Sequence, residues 1–266
     1  MGTIRPAAVA GTFYPANPHR LREVVKGLLA AEPPMETAVG IRLLIVPHAG
    51  YIYSGPIAAA AYRLLAATPP PAPRVVLLGP SHFVRFTGLA APGVDALQTP
   101  LGAVEVDTTL AALASGHPIV VAEPAAHARE HSLEVQLPFL QVALGEFTAL
   151  PLATGEVTAE AAAEVLDALL EDPGVLGVVS SDLSHYLDDA TARRRDAKAA
   201  QAIVERRPED LAPGDACGCA AVQACLLVAR RRNWQCHLLA LGNSGDTSGP
   251  RERVVGYGSF VVGPGA

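Results

Sequence analysis

Three apolar runs in this chain each end at a histidine, and that pattern restricts the fold more than any other feature. Leu43–Val46 leads into Pro47-His48, and Val75–Leu78 into Gly79-Pro80-Ser81-His82. Val175–Val179 leads into Ser180-Ser181-Asp182-Leu183-Ser184-His185. Each run is short, made of Val, Ile or Leu, and bounded by Gly or Pro. Such runs read as strands covered on both faces, because parallel strands buried in a sheet are continuously apolar rather than alternating. In open α/β sheets, ligands bind outside the carboxyl ends of the strands. One histidine after a strand is ordinarily a satisfied structural residue; three delivered to the same edge point to a site.

Helical patterns fill the gaps between these strands. Asn17-Pro18 reads as a cap and first helical residue, followed by Leu21, Val24, Val25, Leu28 and Leu29 at helical spacing. Further helices are expected near Ile57–Ala67, from Ser132 as cap to about Gly145 with a kink or late start at Pro138, and over Thr158–Glu171, 189–206 and 217–232. Additional strands are expected at 118–122, Phe147–Leu152, His237–Leu241 and Val254–Val262. Residues 88–107 read as irregular or as short strands, and Ala66–Pro73 as a Pro-rich surface connection. No internal repeat or domain boundary stands out. The expected architecture is therefore α/β: a single domain over 1–266, three-layer α/β/α, with a mainly parallel central sheet.

Composition narrows the function. Half of the 266 residues are hydrophobic and only 5% aromatic, so the core is built from Ala, Val and Leu. The net charge is −6, which gives no electrostatic footprint for nucleic acid. Arg193-Arg194-Arg195 and Arg230-Arg231-Arg232 read as solvated helix faces or ends. Met1–Pro15 lacks the charged start and apolar core of a signal peptide, and no apolar run reaches the ~18–20 residues of a membrane span. A soluble, cytoplasmic protein with no membrane partner is expected. In a reducing compartment its four cysteines, Cys217, Cys219, Cys225 and Cys236, are thiols or metal ligands.

Imidazole is a good ligand for Zn, Cu, Fe and Ni. Two histidines at neighbouring strand ends face one ion across the sheet edge, and an anionic third ligand would complete a set with open positions. Glu130-His131 offers a carboxylate and an imidazole, or simply an exposed helix start. Asp182 and His185, three apart, reach one site if they share a helical turn; Asp182 reads equally well as a cap. Cys217 is placed at the opening of the helix 217–232, where the dipole would favour its thiolate. Cys219 competes with it, although Cys219 and Cys225 read better as small buried residues. Cys217-Gly218-Cys219 has no second pair at zinc-finger spacing. His19, His117, His127 and His237 lack supporting context, and no phosphate-binding glycine motif occurs. The loop Gly242–Pro250 reads as a turn between the last strands.

Taken together, these residues resemble the Memo family, in the bacterial and archaeal branch often called AmmeMemoRadiSam system protein B. The resemblance runs through Arg5–Pro15, Pro47-His48-Ala49-Gly50-Tyr51, Gly79-Pro80-Ser81-His82, Glu130-His131-Ser132-Leu133-Glu134, Ser180–His185 and Asn243-Ser244-Gly245-Asp246. It implies a fold like that of the class III extradiol dioxygenases, which hold a non-haem Fe(II) with two histidines and a glutamate. It also implies that His48, His82 and Cys217 are the metal ligands, with the cysteine replacing the carboxylate. His185 matches the acid/base histidine, and Asp182, Glu130 and His131 line or orient the site. The chain departs from the animal members at Phe13, where they carry Trp, and at Cys219-Ala220-Ala221, so the peptide binding ascribed to those proteins is not expected.

Fe(II) is the expected cofactor, with Cu or Zn as alternatives favoured by a soft thiolate. The first expectation is a dioxygenase-like oxidoreductase acting on an unidentified small-molecule substrate. The alternatives are a non-catalytic metal-binding or accessory protein working with a radical-SAM partner, and a zinc hydrolase.

Overall fold

The computed structural model describes residues 2–33, 37–70 and 72–265. Along the chain these are β1 (Ile4–Arg5), α1 (Pro18–Ala30), β2 (Leu43–Val46), α2 (Tyr51–Ala67), β3 (Arg74–Pro80), β4 (Leu89–Ala91), β5 (Ala96–Thr99) and β6 (Gly102–Val106). Then follow α3 (Thr108–Ser115), β7 (Val120–Ala122), α4 (Pro124–Ala128), α5 (Leu137–Leu144), β8 (Thr148–Thr154), α6 (Ala159–Leu169) and β9 (Val175–Ser180). The last elements are β10 (His185–Leu187), α7 (Asp189–Val204), α8 (Cys219–Arg231), β11 (Gln235–Asn243) and β12 (Val254–Gly263).

One sheet runs in the order β1-β5-β6-β8-β3-β9-β2-β12-β10, with β11 on β12 and β4 joining β7 and β8. Its centre, from β6 to β2, is parallel, and β12 closes it antiparallel to β2. The strands alternate sides with the two-residue period of extended chain. Leu43, Ile45, Val76, Leu78, Val175 and Val179 face one core, with the helical Ala163, Leu166, Ile203, Val222 and Leu226. Leu44, Val46, Val75, Leu77, Leu176 and Val178 face the other, with Leu21, Val25, Tyr62 and Phe139. This is the expected single-domain three-layer α/β/α arrangement. The register matters for function. Val46 lies beside Ser180 and Leu78 beside Val179, so β2, β3 and β9 end level and release their following loops at one edge.

Several elements differ from expectation, each for a local reason. Helix α2 starts at Tyr51 rather than near Ile57; Gly55 and Pro56 hide its first turns from a propensity reading. Gly55 lets α1 approach closely: a Cβ there would sit 2.9 Å from Leu28 Cδ1 and make that side chain shift. Ser132 does not cap a helix: its hydroxyl donates to Pro80 O, and α5 starts late, at Leu137, after a 3₁₀ turn at Glu134–Gln136. Helix α8 begins at Cys219, which leaves Cys217 in the preceding turn. In agreement with expectation, residues 88–107 hold the three short strands β4, β5 and β6, and the loop after β11 turns through a 3₁₀ segment capped mutually by Asn243 and Asp246. The connection 66–73 includes Pro71, which lies outside the described residues. The arginine runs are ion-paired at the surface, Arg195 with Asp215 and Arg230 with Glu209.

Candidate metal centre

His48 follows β2 and is buried. Its backbone N–H donates to Asp182 Oδ1 at 2.7 Å, and its Nδ1 lies 2.9 Å from Ser180 Oγ. Ser180 has a single hydroxyl proton, which it gives to Ser132 O at 2.6 Å, and it also accepts from Gln136 Nε2. The hydroxyl is therefore an acceptor for His48. Nδ1 carries the proton, and Nε2 presents a lone pair.

His82 follows β3 and repeats this logic with a carboxylate. Its backbone N–H and its Nδ1–H both donate to Glu130, at 2.6 and 2.9 Å. Glu130 also accepts the backbone N–H groups of His131 and Ser132. Burial alone would raise its pKa, but these donors, His82 foremost, bring it to about 2. Glu130 is thus the orienting carboxylate behind His82 rather than an exposed helix start. Such a partner fixes tautomer and ring direction in metal-binding histidines.

His131 stacks on the His82 ring at 4.6 Å, and its Nδ1 is 3.4 Å from the same Glu130 oxygen. One ring nitrogen each from His48, His82 and His131 falls within a 4.8 Å group. Burial and mutual repulsion between imidazoles lower His48 to about 3 and His131 to about 4, so both are neutral near pH 7 and ready to bind a cation.

Cys217 is not in that group but touches it from one side, with Sγ 3.2 Å from His48 Nε2 and 3.3 Å from Asp182 N. The expected thiolate stabilisation by a helix end is absent. The helix starts two residues later, and burial next to Asp182 pushes the thiol up to about 12. Asp182 and His185 do not share a helical turn: residues 181–184 are loop, and His185 opens β10. Both still line the same cleft, of about 710 Å³, with the three other histidines and Cys217. Asp182 is buried, which raises its pKa against the pull of the His48 N–H. His185 Nδ1–H donates to Leu183 O at 2.8 Å, leaving Nε2 free. Cys219, in contrast, is buried in α8 with Leu211 O at 3.9 Å from its sulfur. His127 is structural, hydrogen-bonded to Ala90 O, and His237 meets Thr37.

The family profile described as Memo-like protein matches residues 5–261. The chain belongs to the Memo family. A MEMO1 family protein of Methanococcoides burtonii is 36% identical over 97% of this chain and 100% of its own length. One from Aquifex aeolicus is 36% identical, covering 96% and 97%, and one from Thermotoga sp. strain RQ2 is 37% identical, covering 97% and 99%. An uncharacterized protein of Escherichia coli K12 shares the fold, with a TM-score of 0.50 and 17% identity over 83% of this chain and 99% of that one. No helix among the described residues is long and apolar enough to cross a membrane.

In this Memo protein, residues to which the motif reading gave no role complete the cleft. Ser180 and Gln136 set the His48 tautomer, and Phe13, Tyr53, Tyr186 and Tyr257 form aromatic walls. Tyr186 holds a left-handed φ of 60°, a strain that clusters at functional sites. Gly218 is required beside Cys217, because a Cβ would lie 2.8 Å from Ser180 O and 3.0 Å from Ser181 Cβ. Gly218→Ala is expected to displace the Cys217 turn. The check is the Cys217 and Gly218 amide resonances in proton–nitrogen spectra, which should move while most of the spectrum keeps its wild-type positions.

Proposed function

We propose that this protein is a non-haem metal-dependent, dioxygenase-like oxidoreductase of the cytoplasm, with its ion held by His48, His82 and Cys217. One observation carries the reading. His48 and His82 each commit Nδ1–H to an internal acceptor, so both turn Nε2 lone pairs outward, where a His131 nitrogen lies within 4.8 Å. The imidazole donors suit Fe(II), the ion of this reading, and equally Cu or Zn, which the soft thiolate favours. Bound iron would supply the activation of dioxygen.

The chain's own groups do the rest. Glu130 keeps His82 in its binding tautomer, and Asp182 fixes the His48 backbone. His185, with Nδ1–H tied to Leu183 O, takes or returns a substrate proton at Nε2. His131 packs between Phe13 and His82 and bounds the small-molecule substrate on that side. The contact of Cys217 Sγ with His48 Nε2 favours a second reading, a soft-metal-binding accessory protein that serves a radical-SAM partner without turnover.

The test is anaerobic purification, elemental analysis and Fe(II) titration, followed by oxygen uptake over a panel of phenolic substrates. One iron per chain with substrate-dependent oxygen uptake supports the oxidoreductase. Tight Cu(I) binding with no uptake selects the accessory reading, and a protein that takes up no metal rejects both.

A further inference from the structure

Arg5 and Glu134 fall in two of the motifs read from the sequence but play no part in the chemistry above. One buried ion pair accounts for both. Arg5, at the end of β1, is 6% exposed and spends its whole guanidinium inside the protein. Nε–H donates to His127 O at 2.9 Å, Nη2 donates to Glu130 O at 2.6 Å, and Nη1 meets the Glu134 carboxylate. Glu134 is 2% exposed and accepts further from the backbone N–H groups of Ala8 and Val9, at 2.7 and 3.0 Å, and from the Tyr14 hydroxyl.

Neither residue lines the cleft. They bound a separate small cavity of about 10 Å³, beside Leu77, Leu133 and Leu137, with room for no more than one water. Their reach into the site is indirect and two-sided. Arg5 grips the loop at the carbonyls of His127 and Glu130, and so sets the carboxylate that holds His82. Glu134 pins residues 8–14, which lay the Phe13 ring 4.7 Å from His131 and bring Phe13 O to Tyr51 N at 2.8 Å. A buried ion pair is a poor investment for stability alone, since apolar residues of similar volume commonly serve as well. Six directed hydrogen bonds between two remote segments serve geometry instead.

We propose that Arg5 and Glu134 are positioning residues for the histidine cluster, one fixing Glu130 behind His82 and the other fixing Phe13 against His131. This rests on the metal reading of the site. The test uses Arg5→Lys in the full chain, because an ammonium cannot span the three acceptors that the guanidinium spans. Co(II) is the probe, read by its visible d–d band. The His82 Nδ1–H resonance in proton–nitrogen spectra of metal-free protein is the second readout.

Arg5→Lys is expected to fold, to bind Co(II) about 10–100-fold more weakly with an altered d–d band, and to lose the slowly exchanging His82 Nδ1–H signal. A folded variant with wild-type affinity, band and resonance overturns the proposal. If Arg5→Lys does not fold, Tyr14→Phe, which removes one Glu134 bond and strands no charge, should show the same changes on a smaller scale; wild-type behaviour there overturns it equally. A wild-type protein that takes up no Co(II) defeats the metal reading by itself. The His82 resonance then decides the role of Arg5 separately, and its survival in the variant rejects that role.

Discussion

Iron uptake is expected to collapse in the His48→Ala variant. His48 is the donor that the other groups converge on: Cys217 Sγ is 3.2 Å from its Nε2, and its ring lies 5.3 Å from that of His82 and 5.5 Å from that of His131. Its removal should weaken Fe(II) binding by more than the ~10–100-fold typical of losing an outer partner. Elemental analysis after anaerobic purification reads the effect, with circular dichroism to confirm the fold; iron at the wild-type level would reject the site. The same residue predicts an acid sensitivity. The folded-state pKa values of His48 (about 3) and His131 (about 4) lie below the ordinary 6.5. Between those limits the unfolded chain binds more protons than the folded one. Stability present above about pH 6.5 is therefore lost as the pH falls toward 3–4. The urea midpoint of metal-free protein should drop across that window, and by less in His48→Ala.

Cys217→Ser is expected to weaken metal binding greatly, whereas Cys219→Ser leaves it near the wild-type level. The two thiols are two residues apart, but only Cys217 reaches His48, while the Cys219 sulfur faces Leu211 O at 3.9 Å within α8. A proton count sharpens the contrast. The Cys217 thiol, held near 12 by burial and Asp182, is protonated at neutral pH, so binding through sulfur must release a proton. His48 and His131 are already neutral there and release none. Between about pH 6 and 8 wild-type affinity should therefore rise more steeply than that of Cys217→Ser, by about tenfold per pH unit. Equal metal content in the two variants, or a wild-type profile no steeper than that of Cys217→Ser, would remove Cys217 from the ligand set and leave the three-histidine group to hold the ion.

Much of this site was legible from local pattern. Leu43–Val46 and Val175–Ser180 are strands at the limits their composition implies, and His48, His82 and His185 do emerge at one sheet edge. The reason is that a short β-branched run bounded by Gly or Pro has few ways to be buried other than as a central strand. Where pattern failed, a contact overrode it. Ser132 has the chemistry of a helix cap but spends its hydroxyl on Pro80 O, 52 residues away. Glu130 resembles an exposed helix start, yet it is buried by the loop that His82 enters. Cys217 stands at what reads as a helix terminus, yet the helix begins two residues later, at Cys219, and Gly218 packs closely against Ser180.

The division has a physical basis. Periodicity, turn residues and apolar runs are properties of neighbouring residues, so the sequence alone determined the layered α/β fold and the edge at which its histidines gather. Tautomers, proton affinities and the choice between Cys217 and Cys219 depend on groups far apart in the chain. Arg5 and Glu134 are separated by 129 positions, and His48 and Cys217 by 169. Only the tertiary structure brings such partners within hydrogen-bonding distance and excludes water from them, and so only it decided which imidazole nitrogens face the cleft and which thiol meets them.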